Sequence, residues 1–257
     1  MSQKIRSLTK LLALLLMTGN HAAHLFLPEN SALALLLVGL GYFTAPLMCM
    51  YLVNGYYYTH SRKAYFSRLL FTALISQYPF WLAFQSSQLN MLFSLSLCFL
   101  LLAVADRFSG QSVRTPLLIA IFVFCTFCCD WSAVAPAMTL FFLRAGIKKK
   151  KTLAFLFACL VLSLDALSSG LTMREPFPFV MFRLVSVNLG PLLALLLANC
   201  TEPAFTLPDP RAAVPAAKKN PAGAFPRAAR LQKWFFYLYY PLHLSVLVLL
   251  RTRLFAG

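Results

Sequence analysis

Two histidines and a few acidic residues stand in this chain where long apolar runs leave little room for charge. His243 lies in the span Lys233–Arg251, ten residues beyond Lys233. At about 1.5 Å per residue, the imidazole falls roughly 15 Å into an apolar layer about 30 Å thick. An ionisable group at that depth is costly and is kept where it faces a protein interior or a wet cavity. Pro241, two residues earlier, leaves a helix carbonyl without its amide partner, which a cavity or neighbouring helix must satisfy. An imidazole offers proton exchange there, and His243 is the first candidate for function. His21, in the stretch Thr18-Gly-Asn20-His21, lies eleven residues beyond Lys10, at a similar depth by the same count. Asp130 stands in a turn beside Trp131, where it either orients a histidine or is simply a solvated turn residue next to an interfacial ring. Asp165 and Arg183 lie at comparable depths and suit an ion pair with a structural task.

The elements that position these residues follow from composition. With 60% apolar residues in 257, the chain is not an ordinary soluble domain. It reads as all-α, a polytopic integral membrane helical bundle of about nine transmembrane helices. A net charge of +16 ordinarily raises nucleic acid as a partner. Here the cations fall between apolar runs, so they set topology and meet lipid, and no nucleic acid is expected. The seven cysteines mostly lie within apolar runs, against a disulfide framework. Cys125-Thr-Phe-Cys128-Cys129 has no second cysteine or histidine pair nearby, so simple packing accounts for it and no metal is expected.

The first span opens after Lys4, Arg6 and Lys10 and continues past His24 to Pro28, too long for a cleaved signal peptide. The second runs from about Ser31 to Val53 and is loosened by Gly39, Gly41 and Pro46. The third covers Tyr65 to Phe84 and the fourth Met91 to Ala105. Residues 115–142 are too few for two full crossings. They suit two short helices meeting at Cys129-Asp130-Trp131-Ser132, a hairpin that need not reach the far surface. The seventh span is Leu153–Leu171 and the eighth Phe177–Asn199. Residues 1–199 thus hold eight spans, and 200–230 form a Pro/Ala-rich basic cytoplasmic loop expected to be disordered. Residues 231–257 add the ninth span to the same membrane domain.

With a cytoplasmic N-terminus, the loops at 54–65, 106–114, 144–152 and 200–230 all fall inside. Those loops, the N-terminal run, Arg68 and Lys233 hold every Lys and Arg except Arg174, Arg183, Arg251 and Arg253. That asymmetry is a strong positive-inside signal. The first and ninth spans then rise in the same direction, so His21 and His243 share a depth and are placed to line one pocket. Tyr237, Tyr239 and Tyr240 read as an interfacial aromatic band.

A family resemblance emerges from the motifs in order. Met17-Thr-Gly-Asn-His21, Gly41-Tyr-Phe-Thr-Ala-Pro46-Leu-Met and Asn54-Gly-Tyr resemble the opening of the TraX proteins of conjugative pilus systems. Similar too are Tyr65-Phe-Ser-Arg-Leu69, Ala73-Leu-Ile-Ser-Gln-Tyr-Pro79-Phe, Leu89-Asn-Met-Leu-Phe93, Asp130-Trp131 and Phe236-Tyr-Leu-Tyr-Tyr-Pro-Leu-His243-Leu. The resemblance implies a multi-pass protein of the bacterial inner membrane that acetylates the N-terminal amine of a pilin subunit. Related proteins serve fimbrial assembly, and the family is distantly similar to membrane acyltransferases that modify sugars. The family reads Asp-His where Asn20-His21 stands, Gly-Arg at Gly41-Tyr42 and Glu-Gly at Asn54-Gly55. An Asp beside a catalytic imidazole fixes its tautomer and raises its basicity, while Asn20 does only the first.

Transfer of an acetyl group from acetyl-CoA needs a base to deprotonate an ammonium, a donor for the carbonyl oxygen and cations for the CoA phosphates. The resemblance makes His243 the base and His21 a second base or orienting donor. Asp130 then orients a histidine or binds the incoming ammonium. Arg62, Lys63 and Arg68 sit at the cytoplasmic mouth, where CoA phosphates arrive, although lipid headgroups and topology explain them as well. A non-catalytic assembly protein contacting a pilin or fimbrial subunit is the rival reading. A transporter ranks third, because no internal repeat suggests paired broken helices.

Overall fold

The computed structural model describes residues 2–29, 31–108, 114–145, 151–201 and 227–255. The expected disordered loop at 200–230 falls almost entirely outside the described residues. Within them the chain is helical: α1 Ser2–Phe26, α2 Ala32–Gly41, α3 Thr44–Tyr58, α4 Arg62–Phe84, α5 Met91–Arg107, α6 Arg114–Cys125, α7 Val134–Ala145, α8 Lys151–Thr172, α9 Phe177–Thr201 and α10 Arg227–Phe255. A single 3-10 turn, Thr126–Cys128, ends α6.

Local chemistry explains many of the boundaries. Ser31, Ser61 and Asn90 each accept a backbone N–H from the first turn of α2, α4 and α5, the role of an N-cap. Pro46, Pro116, Pro136 and Pro178 all lie in the first turn of their helices, where a missing N–H costs nothing. The expected second span is two helices, because α2 stops at Gly41 and the chain turns through Tyr42 and Phe43 before α3. The remaining expected spans each correspond to one helix, and α6 and α7 are the expected short pair.

Among the described residues, three stretches are long and apolar enough to cross a membrane by length and composition: Ala32–Tyr58, Thr152–Thr172 and Phe177–Asn199. α10 has the length, 29 residues, but gives many positions to Trp, Tyr, His and Arg. The outward faces make the same point. On α8, Leu153, Leu156, Leu160, Leu164, Leu167 and Leu171 form an exposed stripe, opposite buried Ala154, Phe155, Ala158, Leu162 and Ala166. A water-facing stripe would be polar, whereas a helix apolar all round belongs in lipid.

The chain divides into two compact units, residues 1–51 with 140–206 and residues 52–139 with 207–257. In the first unit α2 packs against α1 and α9, and α8 packs on α9. The α2–α9 contact is backbone to backbone. A Cβ on Gly39 would stand 2.0 Å from the Ser186 carbonyl oxygen, and one on Gly190 would stand 2.3 Å from the Phe43 nitrogen. Small residues permit this approach between membrane helices. Thr44 adds a buried hydrogen bond to the Ala13 carbonyl at 3.0 Å.

In the second unit α4 packs against α5 and α10, and α5 against α6. Arg68 is hydrogen-bonded to Tyr237 near one end, and Arg251 donates to the Ala83 carbonyl at 3.1 Å near the other. α4 and α10 therefore run parallel, as the third and ninth spans of the charge-derived topology must. Arg62 meets Asp106, which brings the 54–65 and 106–114 connections to one end of the unit, again as that topology requires. Asn90 is fully buried and donates to the Ala73 carbonyl and the Gln77 side chain. The segment after α4 thus folds back, and α5 begins level with the middle of α4.

Candidate functional site

The fold-back carries the site. Leu89 donates to the Cys128 carbonyl at 2.9 Å and accepts the Asp130 N–H at 2.7 Å, a short parallel bridge that docks the α6–α7 tip onto the start of α5. Ser94, fully buried on α5, donates to the Asp130 carbonyl. The Asp130 carboxylate accepts the N–H of Trp131. Trp131 holds a left-handed backbone, φ 61°, which is uncommon for a bulky residue and marks a turn held by its surroundings. Asp130 is therefore clamped from three sides and is half-buried. The α6–α7 tip is thereby docked at the start of α5, which the Asn90 bonds set level with the middle of α4.

α10 supplies the other half. His243 is buried, and its Nδ1 lies 2.9 Å from the Tyr239 carbonyl oxygen. A carbonyl can only accept, so a neutral ring carries its proton on Nδ1 and keeps Nε2 as the basic nitrogen. The ring stacks on Tyr239 at 5.2 Å and meets Tyr240 edge-on at 5.5 Å. Tyr240 is buried and lies within electrostatic reach of Asp130. His243, Tyr240 and Asp130 are thus gathered in one unit. Tyr240 does not belong to an interfacial band, because its ring turns inward and the Tyr239 and Tyr237 rings do not share its burial.

His21 lies half-buried on α1 in the first unit. Asn20 beside it donates through Nδ2 to the Val38 carbonyl at 3.0 Å, and its side chain fills the space over Gly41. Asn20 thus holds α1 to α2. Arg183 pairs with Glu175, not with Asp165, and Asp165 is exposed on α8. Equal depth along two helices did not put those two on facing sides.

The three cations expected to meet CoA phosphates differ in fit. Arg62 is held by the Asp106 carboxylate at 2.7 Å and lies 4.1 Å over the Tyr56 ring. Tyr56 donates to the same carboxylate at 3.1 Å. Lys63 is exposed, and Arg68 is half-buried with its Nε lacking a hydrogen-bond partner. Arg62 is thus committed to Asp106. The partners that counting could not supply are Tyr240, Ser94, Asn90 and Asp106. A signal for Asn90 was present in Leu89-Asn-Met, an N-cap just ahead of an apolar run.

Fold and site define an all-α membrane protein with a histidine–tyrosine–aspartate group inside one helical unit. Residues 5–251 match the family described as TraX protein, and the chain belongs to that family. It is also similar to the probable fimbrial assembly protein FimC, serogroup H1, of Dichelobacter nodosus. The two are 34% identical over 171 residues, covering 61% of this chain and 69% of that protein. No solved structure matches the chain.

Proposed function

We propose that this protein acts in pilus or fimbria biogenesis, as a bacterial inner-membrane enzyme that transfers acetyl from acetyl-CoA to the N-terminal amine of a pilin subunit. Family membership and the fimbrial assembly relative support the biogenesis role. The observation that carries the chemistry is the buried His243 beside Tyr240, with Asp130 in reach. His243 Nε2 takes a proton from the pilin ammonium. The freed amine bonds to the thioester carbonyl carbon, the carbon–sulfur bond breaks, the departing sulfur takes up the proton held by His243, and the nitrogen releases its second proton to water as the amide forms. Tyr240 offers an O–H to the carbonyl oxygen as charge builds on it. Asp130 attracts the ammonium and is held in place by Leu89, Ser94 and Trp131. Lys63 and Arg68 meet the donor's phosphates.

Mass spectrometry of the pilin from cells with and without this gene tests the reading: the masses should differ by one acetyl group. His243→Ala, present at normal membrane levels, should abolish that difference. Equal pilin masses from both strains remove the transferase. A second reading, a non-catalytic assembly protein, is favoured by Asn20, whose amide holds two helices together. It wins if His243→Ala assembles pili normally while deletion of the gene prevents assembly.

A further inference from the structure

The chain leaves α4 at Phe84 and enters α5 at Met91, and the residues between do not stay at the helix end. Gln85 closes α4 with a left-handed backbone, φ 50°, and an N–H bond to the Trp81 carbonyl at 2.8 Å. Further along, the Gln88 carbonyl accepts from Gln77 Nε2 at 3.0 Å, and Asn90 Nδ2 reaches the Ala73 carbonyl at 2.8 Å. Gln77 stands eight residues before Gln85, about 12 Å back along the α4 axis. Extended backbone advances about 3.4 Å per residue, so residues 85–88 run straight back beside the helix they have just left. Gln85, Ser87 and Gln88 are exposed and Ser86 is half-buried. Over the same stretch α4 exposes Leu74, Ile75, Tyr78 and Trp81, a face suited to lipid. Irregular backbone at membrane depth persists only where it is buried in protein or lines water. Residues 85–88 are not buried, which leaves water.

This polar descent ends at the site. Leu89, the next residue, bonds to Cys128 and Asp130, and Asp130 lies within reach of Tyr240. In the charge-derived topology, Arg68 and Tyr237 mark the cytoplasmic end of α4 and α10, and Phe84 ends α4 on the opposite side. We propose that residues 85–88 wall an aqueous vestibule that opens on the non-cytoplasmic face, ends at Asp130 and admits the free N-terminus of an extended polypeptide. Asp130 at its floor offers a carboxyl to the incoming ammonium. A depth of about 12 Å takes three to four extended residues, so the acceptor is a chain end with at least that many residues free of folded structure. A lysine side chain on a folded surface is too short to reach. The amine thus enters from the side opposite the acyl donor. The identity of the occupant rests on the acetyl-transfer reading, whereas the vestibule does not.

Gln88→Cys tests the vestibule, because the backbone carbonyl that meets Gln77 is kept. Ile75→Cys is the control: Ile75 is exposed, stands two residues from Gln77 and, at 3.6 residues per turn, lies on the other side of α4. A membrane-impermeant maleimide is added to right-side-out and to inverted membrane vesicles holding the full-length protein, with wild type as the baseline for the native cysteines. In right-side-out vesicles Gln88→Cys should react about 10-fold faster than Ile75→Cys, or more, since the thiolate that attacks forms in water and not in lipid. Equal rates, or reaction in inverted vesicles alone, overturn the vestibule. In spheroplasts, labelling Gln88→Cys should leave newly made pilin without its acetyl group, while the unlabelled variant still modifies it. Unchanged modification after complete labelling overturns the vestibule as the route of the amine. Pilin that carries no acetyl group in wild type removes the acetyl-transfer reading alone, and the labelling rates still decide the vestibule.

Discussion

The α2–α9 contact makes the sharpest stability prediction, Gly39→Ala. The added Cβ would start 2.0 Å from the Ser186 carbonyl oxygen and 2.4 Å from its carbon, both backbone atoms that no rotamer change can move. Restoring an ordinary 3.4 Å contact requires the helices to separate by roughly 1.4 Å, which loosens the small-residue packing along the whole seam. Overpacking of this kind costs about 3 kcal/mol, at the top of the usual range because the obstacle is rigid. Gly19→Ala is the matched control. Its Cβ would meet only Leu37 Cδ2 at 3.7 Å, so helix propensity alone acts and stabilises by about 0.5–1 kcal/mol. The two variants should differ by about 4 kcal/mol. Equilibrium unfolding in mixed micelles measures this, with alkylation of the fully buried Cys49 as the readout for this unit. If Gly39→Ala is as stable as Gly19→Ala, α2 does not lie on α9 at backbone contact, and the arrangement of the first unit described above is wrong.

Two further outcomes concern the second unit. Asn90→Ala removes an N-cap and takes the Nδ2 donor from the Ala73 carbonyl and from Gln77 Oε1, which keeps only the backbone N–H of residue 90, so unfolding in the same micelles should become easier by about 2–4 kcal/mol. Asn90→Asp should not rescue it, because a carboxylate has no N–H for Ala73. The Arg62–Asp106 pair looks central but is half-exposed, 42% and 30% at the two side chains. A double-mutant cycle on Arg62→Gln and Asp106→Asn should give a coupling of no more than about 1 kcal/mol. A coupling several times larger would mean that this end of the unit is shielded from solvent.

Axial position was legible in the sequence, and rotation about the helix axis was not. Charge asymmetry put the third and ninth spans parallel, and α4 and α10 are parallel. Length alone showed that residues 115–142 make a short hairpin. Gly39, Gly41 and Pro46 marked the weak point where α2 gives way to α3. Each of these rests on counting along the chain. Which way a side chain faces depends on about 100° per residue and on the neighbour it meets, and there counting failed. Asp165 and Arg183 share a depth, yet Asp165 faces outward and Arg183 finds Glu175, eight residues away on the preceding turn. Tyr240 sits among interfacial-looking aromatics but turns inward beside His243. Asn90 lies between the spans expected at Tyr65–Phe84 and Met91–Ala105, and the fold-back of that segment buries it completely.

The same distinction bears on Asn20, the residue beside His21. α2 ends at Gly41, so the carbonyls of its last turn have few amides left to accept and carry the negative end of the helix dipole. Val38 is one of them: it receives a long bond from the Tyr42 N–H at 3.2 Å and a second from Asn20 Nδ2 at 3.0 Å. An amide N–H suits that position, whereas a carboxylate would bring like charge against it and supply no donor. Asn20 therefore answers to the break after α2, and the first unit keeps its α1–α2 packing through an amide cap at the residue next to His21.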